Sequence, residues 1–345
     1  MERENMTVED VDPVVSICIA NYNGEQILDA CLDSVRTQIL DDSFEIIVHD
    51  DASTDASLEI LSQHPEVRII QSETNVGFCE ANNRMVAASR GEFVLLLNND
   101  AALLPGALSA FLAESRGTPR PSILTAPQFD WLTGALVDRG CLLDLFMNPV
   151  PVEAEGHPNV AMTIGACMWV PRSLWDTLGG FPAWLESIAE DMYLCCAARQ
   201  RGYEVRCLPV SGYRHMQGQS FGGNRAADGK LVTTYRRRRL SERNKTFLLL
   251  LFTPGAWFLP LLALHVVALT GEGIILSVIR RDRRLFQEVY LTAILSVWRE
   301  RKSLLAHRSR LQKMRALDAS HYYSAFTWRP RKFVLLSRYG LPRFR

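Results

Sequence analysis

The chain has 345 residues, of which 48% are apolar and 22% charged, and this composition excludes a disordered, collagenous or polytopic membrane protein. Its formal net charge of +0 conceals two opposite parts: up to residue 224 there are 31 acidic residues against 13 arginines and no lysine, and from residue 225 onward 25 basic residues against 7 acidic ones. The basic part predicts contact with an anionic surface, either phospholipid or nucleic acid, with a solvated tail as the plainer alternative.

Strands and helices alternate over the first hundred residues. Buried β-branched runs indicate strands, and apolar residues three and four apart indicate helices. In chain order the predicted elements are strand 14–20, helix 27–37, strand 44–48, strand 67–70, helix 78–88 and strand 93–97. Such alternation predicts right-handed βαβ units and an α/β fold with a mostly parallel sheet flanked by helices.

Polar side chains follow three of these strands at the point where each strand ends. They are Asn21, Tyr22 and Asn23 after the first, Asp50 and Asp51 after the second, and Asn98, Asn99 and Asp100 after the fourth. Because open parallel sheets bind ligands at the carboxyl ends of their strands, we expect one binding site at this edge. Each group alone is also compatible with an ordinary turn, which Asn and Asp favour.

A mixed region follows the parallel strands. Residues 165–172 indicate a further strand, and residues 191–200 indicate a helix that begins at Glu190 and Asp191. Two acidic residues at a helix N-terminus are stabilising in themselves, and they are also suitable for general base catalysis. The sequence alone leaves both interpretations open.

The composition changes near residue 235. We expect a catalytic domain at residues 1–235, with residues 1–13 disordered, and a helical, membrane-associating region at residues 236–345. The four arginines at 236–239 lie at the junction, where they could order a loop over a diphosphate or bind a lipid phosphate. The sequence does not choose between these two roles.

An apolar run of 23 residues, 247–269, is long enough to cross a bilayer, whose core needs about 20. Pro254 and Pro260 interrupt it, and basic clusters lie on both sides, so an in-plane or re-entrant arrangement is preferred to a span. Residues 285–298 predict an interfacial helix. The alternative for these apolar residues is a buried interface of a homodimer.

Common catalytic motifs are absent from the sequence. It has no GxGxxG after the first strand, no GxxxxGK[ST], no HExxH and no GxSxG, which removes support for dehydrogenase, P-loop, metalloprotease and hydrolase functions. The apolar flanks of the C-terminal arginines disfavour nucleic-acid binding. A processive polysaccharide synthase is also disfavoured, since a QxxRW motif is missing.

Several motifs together resemble those of family 2 glycosyltransferases, most of all the rhamnosyltransferase-like branch. In chain order they are VSICIANYN at 15–23, LDSV at 32–35, EIIVHDDASTD at 45–55, NVGF at 75–78, LNND at 97–100, GACM at 165–168, GGF at 179–181, ED at 190–191 and HMQGQS at 215–220. The resemblance covers about residues 14–246. It implies a GT-A fold, a nucleotide-sugar donor, a divalent cation (Mg²⁺ or Mn²⁺) and inverting transfer.

The resemblance also implies roles for individual residues. Asp191 corresponds to the family's general base, with Glu190 as the alternative, and Asp100 corresponds to a metal-binding carboxylate, with His215 as a further candidate ligand. The donor-binding residues would be Asn21, Tyr22, Asn23, Asp50, Asp51, Gly77 and Asn99. Among them Tyr22 would stack on the base and Asp51 would accept from the N3–H that uracil and thymine carry and cytosine lacks.

The expected activity is transfer of a sugar from a UDP- or dTDP-sugar to a hydroxyl group of a saccharide acceptor, lipid-linked and at the cytoplasmic face of the cell membrane. Anionic lipid is the expected surface partner, no nucleic acid is expected, and a homodimer is possible. A polyprenyl-phosphate or other small-acceptor sugar transferase of the same fold is the alternative. A catalytically inactive scaffold is disfavoured because the candidate aspartates Asp51, Asp100 and Asp191 are all present.

Overall fold

The computed structural model describes residues 12–156, 159–218, 225–227 and 230–344. The predicted disorder of the N-terminus therefore lies outside the described residues, apart from Asp12 and Pro13. Gln219 and Ser220, the last two residues of the motif that begins at His215, also lie outside them.

The strands are short and spread over most of the described chain. They are β1 Val15–Asn21, β2 Phe44–Asp50, β3 Val67–Gln71, β4 Phe93–Asn98, β5 Ala101–Leu103, β6 Ser122–Thr125, β7 Gln128–Asp130, β8 Leu136–Asp138, β9 Cys141–Asp144, β10 Pro149–Pro151, β11 Cys167–Pro171, β12 Glu204–Cys207, β13 Tyr213–His215, β14 Arg225–Ala227, β15 Lys230–Thr233, β16 Phe326–Thr327 and β17 Arg343–Phe344.

The helices are concentrated in the C-terminal third. They are α1 Leu28–Arg36, α2 Ser57–Ser62, α3 Phe78–Ala88, α4 Ala107–Gly117, α5 Arg172–Leu178, α6 Glu190–Gln200, α7 Tyr235–Phe252, α8 Phe258–Arg280, α9 Thr292–Lys313, α10 Ala319–Tyr323 and α11 Arg331–Tyr339. Two single 3₁₀ turns at Ala183–Leu185 and Gly255–Trp257 and a π-helix at Leu285–Leu291 complete the set.

A seven-stranded sheet in the order β12-β6-β11-β4-β1-β2-β3 forms the centre of the molecule. Strands β3, β2, β1 and β4 are mutually parallel, and β11 runs antiparallel to β4 and β6. The predicted α/β fold and mostly parallel sheet are thus confirmed. Apolar side chains cover both faces of the sheet, as parallel strands require. The eight cysteines are buried free thiols, and all but Cys207 belong to these cores.

A second, four-stranded sheet, β5-β13-β7-β8, extends from the end of β4. Its strand β13 pairs antiparallel with β5, so that His215 lies opposite Ala101, the residue that follows Asp100. The same strand pairs in parallel with β7. The short sheet therefore brings a residue from the third quarter of the chain next to the polar end of β4.

Helix α7 is part of the same hydrophobic core as α6. Its apolar end, from Phe247 to Phe252, is buried against residues of α6 that include Met192 and Tyr193. The prediction that residues 247–269 form one membrane element is wrong. The first six of these residues pack within this core, and the chain then turns before α8 begins. Burial of each such Leu or Phe side chain contributes about 1.5–3 kcal/mol to folding.

The two prolines of the apolar run leave α8 intact. Pro254 lies in the turn before the helix, and Pro260 occupies its third position, where no intrahelical N–H donor is needed. Within the described residues, Gly255–Arg280 is the one helical stretch long and apolar enough to cross a membrane, by length and composition alone, with a mean hydropathy of 2.0.

One face of α8 packs on the protein and the other is exposed. His265, Leu269, Gly273 and Leu276 are buried at helical spacing against α7 and the π-helix, whose Leu285, Val289 and Tyr290 are also buried. The apolar residues predicted for an interfacial helix at 285–298 therefore pack in part against α8 instead. The opposite face of α8 exposes Leu259, Leu264, Val267, Ile274, Ile275, Val278 and Ile279.

Candidate active site

A hydrogen-bonded bridge joins the carboxyl ends of three neighbouring strands. The Nδ2 of Asn21 donates to Oδ1 of Asp50 (3.0 Å), and the Nδ2 of Asn99 donates to Oδ1 of Asn21 (2.8 Å). All three residues are buried. They were predicted to bind the donor, and the structure shows that their side chains hold the edge of the sheet together.

The bridge explains two features of the sequence. A Cβ atom at Gly24 would lie 2.2 Å from Oδ1 of Asn21 and 2.5 Å from Nδ2 of Asn99, so the loop passes too close to the bridge for any side chain. An aspartate at position 99 would lack the N–H that Asn21 accepts. The asparagine in the LNND motif is therefore required by the structure as it stands.

Asp51 fixes the loop that leads into α3. Its two carboxylate oxygens accept the backbone N–H groups of Val76 (2.6 Å) and Gly77 (2.9 Å). Gly77 has a φ of +86°, in the left-handed region that favours glycine. The amide of Gly77 is thus already engaged, whereas each oxygen of Asp51 keeps a further lone pair for a ligand.

Tyr22 and Asn23 project from the loop after β1. The Tyr22 side chain is 50% exposed, so one ring face is open to a planar ligand. Oδ1 of Asn23 accepts the backbone N–H of Thr54 (2.8 Å), which ties this loop to the one after β2. The predicted donor-binding residues therefore do lie together at one edge of the sheet.

Asp100 and His215 form a buried pair beside this edge. Nε2 of His215 is 3.2 Å from Oδ1 of Asp100. On the other side of the ring, Nδ1 of His215 is 3.3 Å from Oε1 of Gln128, which also accepts from the hydroxyl of Tyr213 (2.8 Å). The ring is therefore held between the Asp100 carboxylate at Nε2 and the Gln128 amide oxygen at Nδ1.

This donor set fits a divalent cation. Nε2 of His215 and Oδ1 of Asp100 lie 3.2 Å apart, close enough together to bind one cation. A carboxylate and an imidazole are both ligands of Mn²⁺ and similar ions. No group of three or more His, Cys, Asp or Glu side chains suited to a metal occurs among the described residues, so the protein would supply two ligands and substrate oxygens or water the others.

The candidate base lies next to the same edge. Oδ2 of Asp191 accepts the backbone N–H of Gly165 (3.0 Å). The carbonyl oxygen of Ala166, the residue after Gly165, accepts the backbone N–H of Asn98 at the end of β4 (3.0 Å). Gly165 is enclosed by Asp191 and by the ring of Phe78, each within 3.8 Å of the position a Cβ would take. The loop at residues 165–166 thus links Asp191 to the end of β4.

The two acidic residues that begin α6 differ in their surroundings. Asp191 is partly exposed, whereas Glu190 is 6% exposed and its Oε2 has no hydrogen-bond partner among the described residues. Burial raises the pKa of Glu190 to about 8, and the adjacent Asp191 carboxylate adds to the effect. Burial also raises the pKa of Asp191, while backbone N–H donors at Gly165 and Met192 oppose the rise. Burial therefore favours the neutral form of Glu190 more strongly than that of Asp191.

An arginine from α7 belongs to this site and was not singled out by sequence reasoning. The positive charge of Arg237 lowers the pKa of both Glu190 and Asp191, opposing the effect of burial. Its neighbour Arg238 instead pairs with Glu242 and Glu272. The sequence of the four arginines does not predict which acidic residue each one contacts, because Glu190, Asp191 and Glu272 lie on other elements.

Strain is concentrated just before α6. Glu186, Ile188 and Ala189 have φ values of +63°, +70° and +73°. Such conformations cost about 1–2 kcal/mol each for residues other than glycine and persist only where the surroundings fix them. In this protein the strained residues directly precede Glu190 and Asp191. The sequence of this loop does not predict their positive φ values.

Comparison with protein families identifies the chain. Residues 16–128 match the family described as Glycosyl transferase family 2, and residues 93–295, more than half of the chain, match Glycosyl transferase family group 2.

Curated relatives share parts of the chain. An uncharacterized protein, y4gI, of Sinorhizobium fredii is 26% identical over 235 residues (61% of this chain, 25% of that protein). The chondroitin synthase of Escherichia coli is 38% identical over 117 residues (33% and 17%), and the poly(ribitol-phosphate) beta-glucosyltransferase of Bacillus spizizenii is 37% identical over 92 residues (25% and 14%). The chain thus spans between 14% and 25% of the length of these relatives.

Solved structures share the fold. TarS 1–349 of S. aureus superimposes with a TM-score of 0.54 at 18% identity, covering 90% of this chain and 89% of that chain. GalNAc-T7 with UDP, GalNAc and Mn²⁺ gives 0.51 at 17% identity, covering 59% and 43%. Both have the central sheet flanked by helices that defines the GT-A fold. From the family matches and the shared architecture we conclude that the chain is a GT-A glycosyltransferase of family 2.

Proposed function

We propose that the enzyme transfers a sugar, with inversion, from a UDP- or dTDP-sugar to a hydroxyl group of a saccharide acceptor. The observation that carries this proposal is the link between Asp191 and the end of β4: its carboxylate accepts the N–H of Gly165, and the next residue, Ala166, accepts the N–H of Asn98, two residues before Asp100. Relatives that include a chondroitin synthase and a poly(ribitol-phosphate) beta-glucosyltransferase support a saccharide or polyol-phosphate acceptor.

Asp191 is the general base of this proposal. It would accept the proton of the acceptor hydroxyl as the oxygen attacks the anomeric carbon and the bond to the nucleoside diphosphate breaks. A raised pKa makes the carboxylate a stronger base, and its partial exposure leaves it accessible to the acceptor. Glu190 is less exposed, and burial raises its pKa to about 8, so it is less suited to taking up the acceptor's proton.

The donor would lie across the loops that follow β1 and β2. The exposed ring of Tyr22 can stack on the base, and the remaining lone pairs of Asp51 can accept an N3–H, which favours uracil or thymine. TarS has been crystallised with UDP-GlcNAc, which supports a uridine nucleotide. The rhamnosyltransferase-like sequence motifs support a dTDP-sugar as the second choice.

Asp100 and His215 are the residues that would hold Mg²⁺ or Mn²⁺. When bound, the cation would neutralise the diphosphate that leaves as the glycosidic bond forms. Gln128 holds the His215 ring so that Nε2 points toward Asp100. The crystal structure of GalNAc-T7 with UDP and Mn²⁺ supports a divalent cation in this fold.

A transfer assay tests the proposal. The purified chain is incubated with UDP- and dTDP-sugars, lipid-linked and free saccharide acceptors and Mn²⁺, and release of UDP or dTDP is followed. We expect acceptor-dependent release with at least one donor. The proposal would be contradicted if the protein bound none of these donors and released neither UDP nor dTDP.

A pH prediction concerns Arg237. Its positive charge stabilises the ionised form of Asp191, so the Arg237→Gln variant is expected to have a higher Asp191 pKa. Activity requires the ionised carboxylate and falls as the pH drops through this pKa. The acid limb of the kcat profile should therefore move to higher pH, by about one unit or less for a single nearby charge. An unchanged acid limb would contradict a link between Arg237 and the base.

We further propose that residues 236–345 hold the enzyme in the plane of the cytoplasmic membrane face, close to a lipid-linked acceptor. The exposed face of α8 is apolar and lies between the arginine cluster at 280–284 and the basic start of α7. Glu272 on the other face pairs with Arg238 and Lys332, and this ionic network would be buried in hydrocarbon if α8 crossed the bilayer. An in-plane helix avoids that cost.

Vesicle flotation tests this placement. The double variant Val267→Glu and Val278→Glu replaces side chains that are 69% and 71% exposed on α8 and should sink where the wild type floats with anionic vesicles. The matched control Leu132→Glu changes a 72% exposed residue in the turn between β7 and β8 and should float. Truncation after Tyr235 is unsuitable because it removes the buried part of α7. A wild type that ignores vesicles and forms a dimer through this face would overturn the placement.

A further inference from the structure

The segment that enters α6, here called the entry loop (residues 184–189), is held by a buried asparagine of α7. Asn244 is fully buried, and its Nδ2 lies within hydrogen-bond distance of three backbone carbonyl oxygens, those of Leu185 (3.0 Å), Ser187 (3.0 Å) and Ile188 (2.7 Å). The amide has two hydrogens, which are shared among the three acceptors. One side chain therefore fixes three of the six residues of the loop.

Arg243 holds the same loop from the adjacent position. Its Nη1 donates to the carboxylate of Glu186 (2.7 Å), and its Nη2 donates to the carbonyl oxygens of Trp184 (3.2 Å) and Leu185 (3.1 Å). Its Nε donates to Oδ1 of Asn244 (2.8 Å), which orients the asparagine amide. The two side chains thus form one unit.

The entry loop cannot hold its own conformation. Three of its residues have positive φ, and Ala189, the N-cap of α6, has no side chain to cap the helix. Nothing within α6 itself determines where the helix begins. Asn244 and Arg243 donate to the carbonyl groups of Trp184, Leu185, Ser187 and Ile188, and these hydrogen bonds from α7 help to keep the strained conformation.

The entry loop also touches the opposite side of the site. The carbonyl oxygen of Glu186 accepts the N–H of Cys79 on α3 (3.4 Å), and a Cβ at Gly77 would lie 3.6 Å from the same oxygen. Gly77 is the residue whose amide Asp51 binds. A displacement of the loop would therefore move Asp191 relative to the donor-binding side.

We propose that Asn244, oriented by Arg243, is a positioning residue for transfer: it fixes the backbone of the entry loop and so the place of the Asp191 carboxylate. The inference rests on the proposed function, since it takes Asp191 as the base. Asn244 does not itself reach the reacting atoms. Its effect should appear in kcat, because a displacement of about 1 Å at a catalytic group can cost about 100-fold.

The test compares Asn244→Ala with Thr246→Val. Thr246 is equally buried two residues along α7, but its hydroxyl bonds to the Glu242 carbonyl and to His265 of α8, away from the entry loop. Both variants lose a buried polar contact on the same helix. Arg243→Lys and Arg243→Met, at a position less buried than Asn244, serve if Asn244→Ala does not fold.

Three readouts are taken for each variant: thermal unfolding, amide hydrogen exchange of peptides covering residues 183–192, and the kcat and donor KM of transfer. For Asn244→Ala we expect faster exchange in these peptides, a kcat lower by about 10- to 100-fold and a donor KM within about threefold. Thr246→Val should lower the melting temperature and leave the exchange of these peptides, kcat and the donor KM unchanged. Arg243→Met should act like Asn244→Ala, and Arg243→Lys should recover part of kcat.

Equal losses of kcat in Asn244→Ala and Thr246→Val, in proportion to stability, would overturn the inference, as would unchanged exchange at residues 183–192. Hydrogen exchange needs no turnover, so its outcome separates the inference from the proposed function. If the loop loosens and kcat does not change, the loop is held as described but Asn244 does not position a catalytic group, and the inference fails. If no variant and no wild type transfers sugar, the proposed function fails.

Discussion

The Asp191→Asn variant is expected to bind the nucleotide-sugar donor as the wild type does and to lose transfer by about 10²- to 10⁴-fold, the usual contribution of a general base. The amide is isosteric with the carboxylate and can keep the contact between its oxygen and the Gly165 N–H, but it cannot take up the acceptor proton. Donor affinity is measured by isothermal titration and transfer by UDP release.

The matched control is Glu190→Gln, which changes the adjacent acidic residue by the same chemistry. Because burial favours the neutral form of Glu190, an amide should replace it with a loss of less than about tenfold. If Asp191→Asn remains active and Glu190→Gln does not, the base is Glu190. If donor affinity collapses in Asp191→Asn, the residue binds the donor and is not the base.

The second large effect concerns Asp100. Its carboxylate is 1% exposed and faces Nε2 of His215, so the Asp100→Ala variant loses the carboxylate of the candidate metal pair. A bound cation contributes several kcal/mol to stabilising a leaving diphosphate, so turnover should fall by at least about 100-fold. Binding of Mn²⁺ in the presence of UDP, followed by electron paramagnetic resonance, should weaken in parallel.

Asp144→Asn provides the control for loss of a buried carboxylate. Asp144 is also 1% exposed, and it accepts backbone N–H groups in the turn after β9, outside the candidate metal site. This variant should be less stable and should bind Mn²⁺ normally. Retained activity in Asp100→Ala, or a wild type that is indifferent to chelators, would show that the metal assignment is wrong.

The sheet and its polar edge could be predicted from the sequence because their signals are local. The runs before Asn21, Asp50 and Asn98 are mostly apolar, and parallel strands bring their ends to one edge. The hydrogen bonds that the side chains at these strand ends form with each other could not be predicted. That Asn99 bonds to Asn21 depends on β1 lying beside β4, a long-range pairing that periodicity does not report.

The C-terminal region shows why composition alone is insufficient. Residues 247–252 are as apolar as residues 258–264, yet the former lie in the core and the latter begin a largely exposed face of α8. The difference in burial between these two segments comes from the packing of α7 against α6. In the same way Arg237 and Arg238 are neighbours in one run, and the turn of the helix directs one to the candidate base and the other to Glu272.

Donor binding with and without metal is the most direct measurement of the central claim, that this GT-A fold uses a nucleotide-sugar at the edge formed by β1, β2 and β4. Saturation-transfer NMR with a panel of UDP-, dTDP-, GDP- and CDP-sugars, in the presence and absence of Mn²⁺, reports each donor separately. We expect saturation of the base protons of UDP- or dTDP-sugars, stronger with Mn²⁺, and weak signals in the Tyr22→Ala variant. Preferential binding of a GDP- or CDP-sugar, or no binding of any donor by folded protein, would contradict the account.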